Sequence, residues 1–163
     1  MKTVKLKLSE DKARSLYPDA APEFRAVLEE TFGKGFFRTN PMEWIDDFDD
    51  VLEFHGITPT DFIAQCKGLA PDEVAYKQLK MIVAAYNGNE LPDWDDSDQR
   101  KYYPWFDMRS AAAGGSAAGF SVLGVVYVRG DSLVGSRLVF LNRDHALDAV
   151  EKFLPIYKAL FTV

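Results

Sequence analysis

One cysteine, Cys66, and two histidines, His55 and His145, are all the thiol and imidazole in this 163-residue chain. No internal disulfide can form, little is left for a zinc site built from sulfur and imidazole, and a reducing compartment is expected. Long apolar runs are missing too: no segment approaches the roughly 20 residues of a membrane span. The N-terminus, MKTVKLKLSEDKARSLY, alternates charged and apolar residues where a signal peptide needs an unbroken apolar stretch. The expectation is a soluble protein in the cytoplasm of its host cell, without membrane partners. There is no internal repeat and no disordered, collagen-like or coiled-coil composition. What remains, 47% apolar and 27% charged residues, suits a single globular domain over 1–163 with enough chain to bury a core.

Positive charge is also short, and unevenly so. The net charge is −6, yet residues 41–99 hold three Lys/Arg against fourteen Asp/Glu, a local charge of −11. Residues 1–40 carry +2 and residues 100–163 carry +3. A middle third this acidic repels phosphate backbones and weighs against nucleic acid. It attracts a protein partner with a basic surface.

Apolar spacing then gives the order of elements. Val4, Leu6 and Leu8 alternate with Lys5 and Lys7 as in a half-buried strand. Ser9 opens a short helix that Pro18 ends, and a second runs from Pro22 to Gly33 with Phe24, Val27, Leu28 and Phe32 on one face. A third is expected from the Asn40-Pro41 start to Gly56. Its inner stripe is Trp44, Ile45, Phe48, Val51, Leu52 and Phe54, and its wet side Asp46, Asp47, Asp49, Asp50 and Glu53. Helices over Thr58–Gly68 and Asp72–Tyr86 follow. Phe120–Val128 and Arg137–Leu141 read as two antiparallel strands joined across Arg129-Gly130-Asp131. Asn142 caps a last helix to about Phe161, which Pro155 should kink or break. The fold class is therefore α+β: a helix-rich 1–91, then 92–163 with a β-hairpin and a terminal helix packed on a small antiparallel sheet.

The segments PDWDDSDQRKYYPWF, VGSRLVF and FLPIYKALF, with KLKLSEDKARSLY and YKQLKMIVAAYNGNELPDW upstream, carry a resemblance over most of the chain. It resembles a family of uncharacterised phage and prophage proteins with a "PDW...KYYPWF...GSRL.F" signature. The resemblance implies a mobile-element origin, and that family brings no activity or functional residues to transfer. The chain departs from the pattern at AAAGGSAAG and at LNRDHALDAV.

Among candidate sites, Tyr102, Tyr103, Trp105 and Phe106 around Pro104 offer flat apolar area for anchoring a partner. Pro104 sets an extended backbone that sends neighbours to opposite faces, so half of the cluster is expected in the core. Arg137 can hold a carboxylate or phosphate in its fork, or pair with the acidic middle of the chain. Asp93, Asp95, Asp96 and Asp98 are a possible set of hard-cation ligands, but an EF-hand loop from Asp93 has Asp98 where glycine belongs and Pro104 where glutamate belongs. A solvated acidic loop is the simpler reading, and no metal or cofactor is expected.

The dense carboxylates of Asp46–Glu53 lack the burial that separates an acid from a base. Gly114-Gly115-Ser116-Ala117-Ala118-Gly119 has neither the spacing of a nucleophile elbow nor the Lys-Ser/Thr pair of a phosphate loop, and reads as a flexible connection. His55 and His145 fall at helix ends, and Cys66 reads as a small hydrophobe. The leading expectation is a non-enzymatic protein-binding module. The alternatives are a small metal-dependent enzyme using clustered aspartates and, more weakly, a single-stranded nucleic-acid binder using Arg100, Lys101, Arg109 and the aromatics.

Overall fold

The computed structural model describes residues 7–109, 119–135 and 137–162. The strand expected around Val4 and Leu6 and the glycine-rich tract at 111–118 lie outside them. The chain forms two compact units, Met1–Asn40 and Pro41–Val163. Among the described residues, no helix is long and apolar enough to cross a membrane.

The described part of the first unit is helical. Ser9 caps α1 (Glu10–Leu16) by accepting from the Lys12 amide, and Pro22 at the first turn starts α2 (Pro22–Phe32). Gly33, at φ 85, ends α2 and turns the chain directly into a short α3 (Lys34–Phe37) that the sequence did not announce. Of the four residues expected on the inner face of α2, Leu28 is buried, whereas Phe24 and Val27 stand exposed. Rings supply the remaining cohesion. Tyr17 stacks on Phe37 at 4.1 Å, Arg14 lies over Phe36, and the Tyr17 hydroxyl donates to Glu29.

The second unit holds the main core. A 3-10 turn (Pro41–Glu43) leads to α4 (Phe48–Phe54), α5 (Pro59–Gln65) and α6 (Pro71–Tyr86). The single helix expected from Asn40 to Gly56 is therefore split, and the aspartates split it. Asp47 Oδ1 accepts from the Asp49 and Asp50 amides at 2.8 and 3.2 Å, while Asp50 Oδ2 accepts from the Asp46 and Asp47 amides at 2.9 and 3.2 Å. This reciprocal capping starts a new helix at Phe48 and leaves Asp46 and Asp47 outside it. The expected stripe survives the break, with Ile45, Val51 and Leu52 buried and Trp44, Phe48 and Phe54 packed partly against the core.

The last helix breaks as Pro155 requires. α7 (Arg143–Lys152) and α8 (Leu154–Phe161) meet at Phe153, whose φ of −113° and ψ of 21° leave the helical region. Ala146, Ala149, Val150, Phe153 and Tyr157 enter the core beside Leu79, Ile82, Val83, Ala85 and Tyr86 of α6.

Among the described residues the sheet has two antiparallel strands, β1 (Lys101–Asp107) and β2 (Ser121–Val128), and helices cover one of its faces, so the fold class is α+β. The expected pairing is corrected: β2 pairs with the aromatic run 101–107, not with 137–141. The latter segment contributes one isolated bridge, in which Tyr102 and Phe140 exchange both backbone hydrogen bonds at 2.8 and 2.7 Å. That bridge explains how a strand accommodates a proline. The amide nitrogen of Pro104, two residues on from Tyr102, turns to the same side, away from β2, so no ladder hydrogen bond is lost.

Candidate functional site

β1 sorts its side chains by alternation, and β2 follows it with one break at Leu123. Tyr102, Pro104 and Phe106 face the helices together with Val122 and Val125 of β2. Phe106 stacks on Phe120 at 4.7 Å and packs against Tyr157 and Phe161. The opposite face carries Lys101, Tyr103 and Trp105, paired with Val128, Val126 and Gly124. The four aromatics singled out in the sequence thus divide into two pairs on opposite faces, as Pro104 implied.

The outer face is closed at one end and open at the other. Lys101 has no exposed surface: its Nζ donates to the Asp96 carbonyl at 2.9 Å and sits 5.4 Å above the Trp94 ring. Tyr103 is buried as well. Trp105, two residues further, is 48% exposed. Its directly opposite neighbour is Gly124, which offers no side chain to cover the indole. Gly124 has φ 146 beside a bulge that leaves Leu123 without a counterpart on β1. An added Cβ there would meet nothing, so conformation and not space calls for glycine. Val126, 38% exposed, shares the face of Trp105, and Leu123 at the bulge is 58% exposed.

The loop covering Lys101 is the aspartate run, and its carboxylates have structural work. Asp93 Oδ1 accepts from the amides of Asp95 and Asp96, and Asp96 Oδ1 from those of Asp98 and Gln99. The Gln99 side chain closes the loop by accepting from the Asp93 amide at 2.8 Å. Two successive Asx turns therefore explain the DWDDSDQ pattern, and Asp95 and Asp98 project into water. Among the described residues no cluster of His, Cys, Asp or Glu has the geometry of a metal site.

Arg137 is exposed and makes no ion pair or hydrogen bond among the described residues. It lines a small cleft with Lys80, Asn87, Asn89, Glu90 and Pro92, to which no residue of β1 contributes. Asn87 is committed to the fold there, donating to the Val139 carbonyl and accepting from the Leu141 amide, both at 3.0 Å. The cleft mixes two cations with a carboxylate and favours no single ligand charge. The cations proposed for nucleic acid are dispersed: Lys101 is buried, Arg109 forms a fork with Asp107 at 2.6 Å, and Arg100 lies over Tyr127. The Arg109 guanidinium holds the Asp107 carboxyl down at about 2.

A second polar group went unread in the sequence. The Tyr86 hydroxyl, Asp148 and Lys152 form a half-buried network, and Lys152 Nζ also donates to the Ile45 and Met42 carbonyls at 2.7 and 3.1 Å. The spacing of Asp148 and Lys152 was its only sequence signal. His145 packs edge-on to Tyr86, and His55 Nε2 lies 2.9 Å from the Met81 carbonyl. Both histidines are tied to α6.

No protein-family model, no curated protein and no solved structure matches this chain.

Proposed function

We propose that this chain is a non-enzymatic protein-binding module that docks its partner on the open end of the β1/β2 face. Trp105 is the anchor, and Leu123 and Val126 form the surrounding apolar rim. The observation that carries the reading is the exposure of Trp105 on a strand whose other outward residues are covered. A large aromatic, half in water on a rigid strand, presents binding area at little entropic cost. Steering comes from the acidic residues of 41–99, of which Asp95 and Asp98 are exposed on the loop beside β1. They favour a partner with a basic surface and leave specificity to the apolar contact.

The reading extends to origin and place: a phage- or prophage-encoded protein acting in the cytoplasm of the host cell, supported by the sequence resemblance and by the reduced state expected for Cys66. Affinity capture with the wild-type chain and with Trp105→Ala as matched baits tests the binding role.

A further inference from the structure

We propose that the free edge of β2 is a self-association site, and that two copies of this chain join β2 to β2 into one four-stranded antiparallel sheet.

The argument starts from which backbone groups β2 leaves unused. Tyr102 gives both its backbone hydrogen bonds to Phe140, so Tyr127, which lies opposite Tyr102, turns its N–H and C=O away from β1. Val125, opposite Pro104, does the same by the period of two. Among the described residues, no backbone or side-chain group bonds to these four atoms, and no strand lies on that edge.

Proteins ordinarily blunt such an edge with charge, proline or a covering element. Ser121–Val128 (SVLGVVYV) has no charged residue and no proline.

The occupant follows from the spacing. A two-fold axis through Val126 sets Val125 of one copy against Tyr127 of the other, twice, so that all four free groups of each copy are satisfied by the equivalent groups of its mate. Val126 then faces Val126 across the axis, in the close non-hydrogen-bonded register that suits β-branched pairs. Exposed Val126 and Tyr127 both gain apolar neighbours.

Charge points the same way. The chain is acidic overall, but the −11 lies in residues 41–99, and Gly124–Val128 is neutral, so two copies meet here without opposing carboxylates. Arg129 falls beside Leu123 of the other copy, away from its own counterpart.

Sedimentation velocity of the full chain from about 1 to about 100 µM reads self-association with a micromolar Kd. A concentration-dependent monomer–dimer equilibrium is expected. Val126→Lys sets two ammonium groups face to face on the axis and should give monomer. Val126→Glu should do the same, and mixing the two variants should restore a dimer.

Val125→Pro removes an N–H that β1 does not use, and should also give monomer with an unchanged far-ultraviolet spectrum. A wild-type chain that stays monomeric at about 100 µM, or a dimer indifferent to Val126→Lys, overturns the proposal. Trp105→Ala is expected to leave the mass unchanged, which separates this interface from partner docking on the open face.

Discussion

Tyr86 donates its hydroxyl proton to Asp148 Oδ2 at 2.5 Å, and the same oxygen lies 3.0 Å from Lys152 Nζ. Burial and the neighbouring carboxylate push the Tyr86 phenol well above its ordinary range, so it remains a donor throughout the physiological window. The network joins α6 to α7, and through Lys152 it holds the turn that precedes α4.

Removing the ammonium should cost more than removing the hydroxyl. Lys152→Met leaves Asp148 without its cation and takes a charged donor from the Ile45 and Met42 carbonyls, and is expected to destabilise by about 1–3 kcal/mol. Tyr86→Phe removes one hydrogen bond and should cost about 1 kcal/mol. Urea unfolding followed by tryptophan fluorescence checks the order. A Lys152→Met midpoint equal to wild type contradicts it.

The aspartates around position 47 differ in role. Asp47→Ala removes the acceptor for two orphan amides at the start of α4 and is expected to cost about 0.5–2 kcal/mol. Asp49→Asn, whose carboxylate makes no cap contact, should lie near wild type. Equal losses in the two variants would contradict the capping assignment.

His145 gives the fold a mild acid sensitivity. Burial lowers its pKa below the usual imidazole value, against the opposing pull of the Tyr86 backbone, Asp144 and Asp148. The folded state therefore binds this proton less readily than the unfolded chain does. Its contribution is complete above the unfolded value near 6.5 and falls as pH drops through the lowered one. The urea midpoint should decline as pH falls below about 6.5, and His145→Gln should flatten that decline. An unchanged slope in the variant sinks the assignment.

Those roles show where the sequence was readable. Helical period and capping chemistry disclosed α1, α2, α5 and α6 and the break at Pro155, because each is decided by residues within a turn of one another. The start of α4 was misplaced because Asn40-Pro41 and Asp47-x-x-Asp50 both look like helix beginnings, and the reciprocal bonds of the second pair are visible only in three dimensions. The sheet was misassigned for a related reason. Pro104 marks 101–107 as extended without naming its partner strand, and only the bridge to Phe140 reveals that its missing N–H falls on the side where β2 does not need one.

The candidate site was legible as a cluster but not as a surface. Four aromatics in five residues flagged the segment, and alternation about Pro104 separated the pairs. Which outward ring stays uncovered depends on Gly124 opposite Trp105 and on the Asp93–Gln99 loop over Lys101, contacts that no local spacing encodes.

The proposed binding role rests on Trp105, and quantitative affinity capture from cell lysate at low and high salt tests it most directly. Wild-type bait should retain a partner at low salt, hold less of it at high salt, and lose it by about tenfold or more on Trp105→Ala while the fold is unchanged. An identical set of proteins in identical amounts on both baits, or none on either, would contradict the account.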